Sequence, residues 1–312
     1  FQDAGRMRRP EPLPSDLPPV FRVSEARAMG VNPARLSRSD LRSPHRGLRT
    51  SRSLPVPASS LEIAAQYAPR LAGWQFFSHE TALEAVGAPM PEWPYRPRLH
   101  VAAHRPSREP RIPGVVGHRL QARQSAVMMS RVGLPIETPV RAWRQVGSLW
   151  ALDDLIAAAD YLLSGERPLA TSEQLRDEIE VMGDVRRGIL RRALVEVRNG
   201  VRSPRETRLR LALTRGGLPE PEINWVLRDG IGDPVAELDL AYPRWRVCAE
   251  YDGRVHETDR RQFARDADRW DSIREQGWEH VRILNVHMQH GAVRAVERVR
   301  DALIRAGWHD GA

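Results

Sequence analysis

Apolar residues recur at two different spacings along this chain, and the switch between the two sets out its organisation. From residue 200 onward the order is clearest. SPRETRLRLALTRGG has Ser203 at an N-cap, Pro204 at the first turn and Glu206 three residues after the cap, and it stops at Gly216-Gly217, so it predicts a helix. EINWVL, VAELDLAY and RVCAEY predict three strands joined by a turn containing Asp-Gly and a turn at Pro243-Arg244, in an antiparallel meander. Between Asp259 and Gln276, Phe263, Ala267, Trp270 and Ile273 form one helical stripe that ends at Gly277. HVRILN then reads as a fourth strand and residues 292–306 as a last helix, giving the order α-β-β-β-α-β-α.

The first half is more broken. Residues 1–19, rich in Pro and Arg, predict a flexible tail. SEARAMG predicts a short helix capped by Ser24 and stopped by Gly30. PARLSRSD predicts a second, capped by Asn32, and HRGLRTSR a small β-wing. Helix, tight turn, helix and basic wing over 20–55 describe a winged helix-turn-helix, whose second helix enters the major groove. Beyond it, LEIAAQYA and FFSHETALEAVG predict helices, LHVAAHR and GVVGHRL strands, and ALDDLIAAADYLLSG an amphipathic helix closed by Gly165. Residues 56–165 thus make an α+β middle domain, and 166–200 a charged helical connector interrupted near Gly183 and Gly188.

Length and composition agree with several compact units: 312 residues exceed one typical core. No apolar run approaches the roughly 20 residues needed to span a bilayer, and no secretory segment is evident. The lone Cys248 excludes an internal disulfide framework, so a cytoplasmic location is expected. All 48 basic residues are arginine. The absence of lysine excludes a Walker A phosphate loop, kinase-type ATP pairing and Schiff-base catalysis.

Charge is unevenly placed. Residues 20–52 hold eight arginines against Glu25 and Asp40, a net +6 of the whole chain's +8. A polyanion such as DNA is drawn to that segment. On the winged-helix reading, Arg35 and Arg38 face DNA from the second helix, while Arg46, Arg49 and Arg52 reach phosphates from the wing. The histidines of the middle domain (His79, His100, His104 and His118) lack the tight spacing of a zinc site and are expected at the surface or in ordinary hydrogen bonds.

The candidate chemistry lies in ELDLAYPRWRVCAEYDGRVHE, residues 237–257. Side chains alternate faces along a strand, so Glu237 and Asp239 share one face, and Glu250 and Asp252 share one face of the next strand. A turn at Pro243-Arg244 lets Asp239 and Glu250 converge. Two carboxylates held close repel unless a cation joins them, and hard oxygen ligands suit Mg²⁺ or Mn²⁺. Cys248 reads as a buried strand residue rather than a nucleophile.

Residues 203–284 resemble the PD-(D/E)XK nuclease superfamily, most closely its branch similar to very short patch repair endonucleases. The matching pieces are SPRE, ELDLAYP, CAEYDGRVHE and RDADRW…GWEHVRIL. The resemblance implies a nuclease-like α/β domain with a mixed sheet over 201–312. It also implies that Asp239 and Glu250 bind the metal, that Asp252 and His256 sit in the site, and that Glu206 approaches from its helix. Glu206 also suits an ordinary capping box, and the two readings stand side by side. Asp266 and Arg269, three apart on a helix, suit an ordinary pair, whereas the family pattern implies that they orient the site or contact phosphate. The superfamily's signature lysine falls at Asp252. That leaves His256, whose imidazole titrates near neutral pH, as the general-base candidate.

Upstream, FRVSEARAMGV…HRGLRT, FSHETALEAVG, LHVAAHR, GHR and GLPIETP resemble AbiEi-type antitoxin and regulator proteins over roughly residues 20–165. That likeness implies operator binding and repression, and makes a cognate toxin or another protein a candidate partner. The expectation is therefore a multidomain α/β, DNA-binding protein with a metal-dependent endonuclease-like domain and no membrane association. The alternative is a non-enzymatic, antitoxin-like regulator that keeps an inactive nuclease fold. Action on RNA or branched DNA is a third reading.

Overall fold

The computed structural model describes residues 10–92, 94–123, 127–252 and 260–309, with residues 260–267 described in their backbone alone. The chain is mixed α/β, with helices and three sheets, and it divides between Val146 and Gly147 into two compact units.

The first unit opens with β1 (Val20–Arg22), α1 (Val23–Ala28), α2 (Pro33–Leu36), β2 (Leu41–Arg42) and β3 (Leu48–Ser51). The three strands pair antiparallel in the order β1-β3-β2. Asn32 caps α2 as expected, its Oδ1 accepting the Ala34 N–H at 2.8 Å. Two expectations change. The N-cap of α1 is Arg22 rather than Ser24, because β1 runs directly into the helix and Glu25 accepts the Arg22 N–H at 3.4 Å. α2 is a single turn rather than the whole of PARLSRSD. After Leu36 the sequence offers only SRSD, with no apolar side chain to bury, and the Ser37 hydroxyl donates back to the Pro33 carbonyl at 3.3 Å. Phe21, Ala26, Leu36 and Leu41 form a small core, and Leu13 and Leu17 pack against it. Residues 10–19 are therefore docked rather than a free tail; residues 1–9 lie outside the described residues.

There follow α3 (Ser60–Tyr67), β4 (Gln75–Phe77), α4 (His79–Ala85), β5 (Leu99–His104), β6 (Val115–Leu120), β7 (Val127–Met129), β8 (Pro135–Glu137) and α5 (Pro139–Val146). The strands form a mixed five-stranded sheet in the order β6-β5-β4-β8-β7. The stretch FFSHETALEAVG splits: Phe76 and Phe77 belong to a central strand, and the helix starts only after its N-cap residue Ser78. β5 is buried from Leu99 to Ala103 and pairs parallel with β6, setting Ala102 opposite His118.

The second unit begins with α6 (Leu152–Leu163), α7 (Ser172–Met182), α8 (Ile189–Glu196) and α9 (Pro204–Arg215). α6 packs on α8 and α9, so it belongs here and not with the region before it, and the boundary falls at 146/147 rather than at 165. Then come β9 (Glu222–Arg228), β10 (Pro234–Tyr242), β11 (Val247–Asp252), α10 (Arg260–Glu275), β12 (Glu279–Leu284) and α11 (Val293–Arg305). This is the order read from the sequence. β9, β10 and β11 form the antiparallel meander, and β12 pairs parallel to β11, making a mixed sheet β12-β11-β10-β9. A parallel neighbour needs a crossover, which α10 supplies. Leu240, Tyr242, Val247, Ala249, Val281 and Ile283 pack against α9 and α11 on one face. Ala241, Cys248 and Trp278 pack against Ile273 of α10 on the other. Among the described residues, no helix is long and apolar enough to cross a membrane.

Candidate active site

The β10–β11 pairing sets Leu240 opposite Ala249 and so places Asp239 beside Glu250 across the two strands. They line one cleft of about 320 Å³ with Ser203, Arg205, Tyr251, Asp252, Arg269, Trp270, His280 and Arg282. Burial, together with the charges of Glu250 and Glu206, pushes the pKa of Asp239 up to about 7. The three carboxylates named from the sequence thus act on one another electrostatically.

Glu250 is held differently. Both its oxygens accept from Arg269, at 2.6 and 2.8 Å, and Oε2 also lies 2.9 Å from Nε2 of His280. Burial works to raise its pKa, but the hydrogen bonds from His280 and Arg269 outweigh it, and the carboxyl titrates below its ordinary value. Arg269 also donates to the Glu237 carbonyl at 2.5 Å. It is thereby held to Glu250 and to the backbone of β10 at the wall of the cleft.

Asp252 accepts from Nε of Arg282 at 2.7 Å. The Arg282 guanidinium lies 4.8 Å over the Trp270 ring, and that ring stacks on His280. Glu206 is buried, with Oε2 accepting the Arg202 N–H at 3.0 Å while its own N–H donates to Ser203 Oγ at 3.2 Å. It serves the helix start and the field at Asp239 together. His256 and the side chains of Arg260, Arg261 and Asp266 lie outside the described residues. Cys248 is fully buried, as expected, and burial pushes its thiol well up.

Partners that the sequence reading missed are His280 and Arg282 on β12. The signal was their parity: they alternate with Val281 and Ile283 and so face the same way as Glu250 once β12 lies parallel to β11.

The donor set fits a hard cation in part. Two adjacent carboxylates, one of them raised by burial and then by like charge, leave a deficit of positive charge at Asp239. Glu250 must release an oxygen from Arg269 or His280 to join it.

The N-terminal arginines are less available than their number suggests. Arg35 pairs with Asp40 at 2.8 and 3.0 Å and is nearly buried, so it does not face outward from α2. Arg49 donates to the carbonyls of Leu36 and Leu48, each at 2.8 Å. Arg22 and Arg42 likewise donate to carbonyls, those of Leu71 and Pro55. Arg38, Arg46, Arg27 and Arg52 remain exposed.

The middle-domain histidines depart most from expectation. The ligating atoms of His79, His100 and His118 all lie within 4.8 Å of one another. His100 Nδ1 sits 2.8 Å from His118 Nε2, and the His79 and His118 rings stack with centroids 3.7 Å apart. Burial, then the neighbouring imidazoles, holds His79 well below 6.5; the same burial and His100 bring His118 to about 4. His104 packs instead against Phe76.

Two proteins of Mycobacterium tuberculosis are similar to this chain, the uncharacterized proteins Rv2248 of strain H37Rv and MT2308 of strain CDC 1551. Each is 29% identical over 202 residues, which span 63% of this chain and 70% of the relative. No family model matches the chain, and no solved structure matches it.

Proposed function

We propose that the second unit hydrolyses phosphodiester bonds as a metal-dependent endonuclease of the PD-(D/E)XK kind, and that exposed arginines of the first unit hold DNA. The observation that supports this reading best is the placement of Asp239 beside Glu250 in a polar cleft, with the Asp239 pKa raised to about 7. Structural ion pairs lower a carboxylate's pKa, whereas Asp239 is raised first by burial and then by Glu250 and Glu206, a charge balance that a bound cation would relieve.

Asp239 and Glu250 would hold Mg²⁺ or Mn²⁺, with Glu206 adding negative field. A divalent cation bound there would polarise the phosphate and acidify an attacking water. Arg269 and His280 fix the Glu250 carboxylate in orientation. Arg282, braced by Asp252 and Trp270, and Arg205, stacked 5.4 Å over Tyr251, present positive charge along the cleft to a phosphate backbone. His256 is assigned proton removal, the role left open by the missing lysine.

The second reading, an antitoxin-like regulator without catalysis, has its own supporting observation. The bidentate Arg269–Glu250 pair already neutralises one proposed ligand. The two readings separate on supercoiled plasmid incubated with Mg²⁺, Mn²⁺ or EDTA. Nicking is expected with metal only, and Asp239→Ala or Glu250→Ala should each abolish it, a loss of at least about 100-fold. Tight duplex binding without nicking under any of these conditions favours the regulator. A parallel assay on RNA and branched DNA fixes the substrate class.

A further inference from the structure

We infer that His79, His100 and His118 form a transition-metal site of Zn²⁺ type in the first unit, separate from the carboxylate cleft. The three imidazoles come from the first residue of α4 and from the parallel-paired strands β5 and β6, and their ligating atoms share one small volume. Imidazole sets of this kind suit Zn²⁺ and its first-row neighbours and not Mg²⁺.

Outer hydrogen bonds assign the ligating atoms. His79 Nδ1 lies 3.0 Å from Ser78 Oγ, which leaves Nε2 for the cation. His100 Nε2 lies 3.2 Å from the fully buried Glu80 carboxylate, which leaves Nδ1, and that atom already faces Nε2 of His118. A carboxylate on the far nitrogen of a ligating histidine is the common arrangement around zinc, fixing the tautomer and raising ligand basicity. On binding, neutral His118 gives up its Nε2 proton and takes one at Nδ1 by exchange with solvent, so that Nε2 ligates as a neutral imidazole with no net proton release.

Backbone strain points the same way. His79 opens α4 with φ at +52°, a left-handed conformation that costs a non-glycine residue about 1 kcal/mol or more. Its N–H donates to Gln145 Oε1 at 3.0 Å, which holds the strained turn; the ring stacks over His118 and tilts on binding to bring the in-plane Nε2 lone pair to the cation. Three imidazoles alone leave one tetrahedral position for water or an incoming ligand.

The test uses the full-length protein purified from zinc-supplemented medium, dialysed, and measured by elemental analysis and by Zn²⁺ titration. About one equivalent per chain is expected, with Co²⁺ replacing it and giving the intense visible bands of tetrahedral coordination. His100→Ala and His118→Ala should each lose the equivalent. Glu80→Gln, which keeps all three rings, should weaken binding by about 10- to 100-fold. Asp239→Ala/Glu250→Ala should keep the equivalent, which separates this site from the proposed nuclease cleft. His118 is only half-buried, so its variant remains informative should His100→Ala fail to fold. Absence of bound Zn²⁺ in the wild type, or its retention in His118→Ala, overturns the assignment.

Discussion

Asp239 shows how a single side chain can set function against stability. Its pKa in the folded chain stands at about 7, against an ordinary 3.8. A carboxyl raised in this way favours folding while it is protonated, and that contribution is lost as pH rises through the folded value. Metal-free protein should therefore lose stability between about pH 4 and about pH 7, by up to a few kcal/mol from this group. Asp239→Asn removes the titration and keeps the shape. In EDTA, its melting temperature should exceed that of the wild type by several degrees at about pH 8, with the gap closing towards about pH 5. Equal melting at the higher pH would show that Asp239 is not under strain from its neighbours. The convergence of Asp239 and Glu250 was legible from strand alternation and a tight turn, which are local rules. The cations around Glu250 were not, because they arrive through a parallel pairing whose register no local pattern fixes. The histidine trio escaped for the same reason: His100 and His118 meet only once β5 and β6 are paired.

At the scale of elements, the second unit is tied together by a buried polar knot as well as by apolar layers. Asp160 of α6 accepts from Thr207 at 2.8 Å and from Arg210 at 3.2 Å, both on α9, and from the Arg198 N–H at 2.7 Å. Arg210, almost fully buried, also donates to the Glu196 carbonyl at the end of α8, at 2.8 Å. Three helices are thereby fixed in register. Asp160→Ala strands the guanidinium without its charge partner, and should cost about 3–5 kcal/mol by denaturant unfolding. A loss under about 1 kcal/mol would mean that Glu220, 3.5 Å from Arg210, takes over. The order of elements from residue 200 onward could be read from caps, glycine stops and period changes. The extent of α2 could not, since a good N-cap says where a helix starts and nothing about how far it runs. Likewise α6 looked like the end of what precedes it, until its buried Asp160 met a partner 50 residues later.

For the molecule as a whole, the count of arginines overstated how many guanidinium donors are free to meet a phosphate, while the net charge stands. Of the eight in residues 20–52, Arg22, Arg35, Arg42 and Arg49 spend donors on carbonyls or on Asp40. Replacing the exposed Arg38 and Arg46 together by Ala should lower the salt slope of duplex binding by about 2, at ~0.9 for each phosphate no longer neutralised. Arg35→Ala should instead lower the stability of the first unit and leave that slope unchanged. An unchanged slope in the double variant would count against the proposed DNA contact at Arg38 and Arg46. The mixed sheet of the second unit also has a consequence for biosynthesis. The β10–β11 hairpin, joined by a short turn, leaves the ribosome with two acidic side chains abreast, while the partners of Glu250 lie 19 and 30 residues downstream. At ~5–20 residues per second the nascent chain spends roughly 1.5 to 6 seconds without them. The hairpin can close by itself, but the cleft closes only when β12 pairs with β11, so a truncated product ending inside α10 has no assembled cleft.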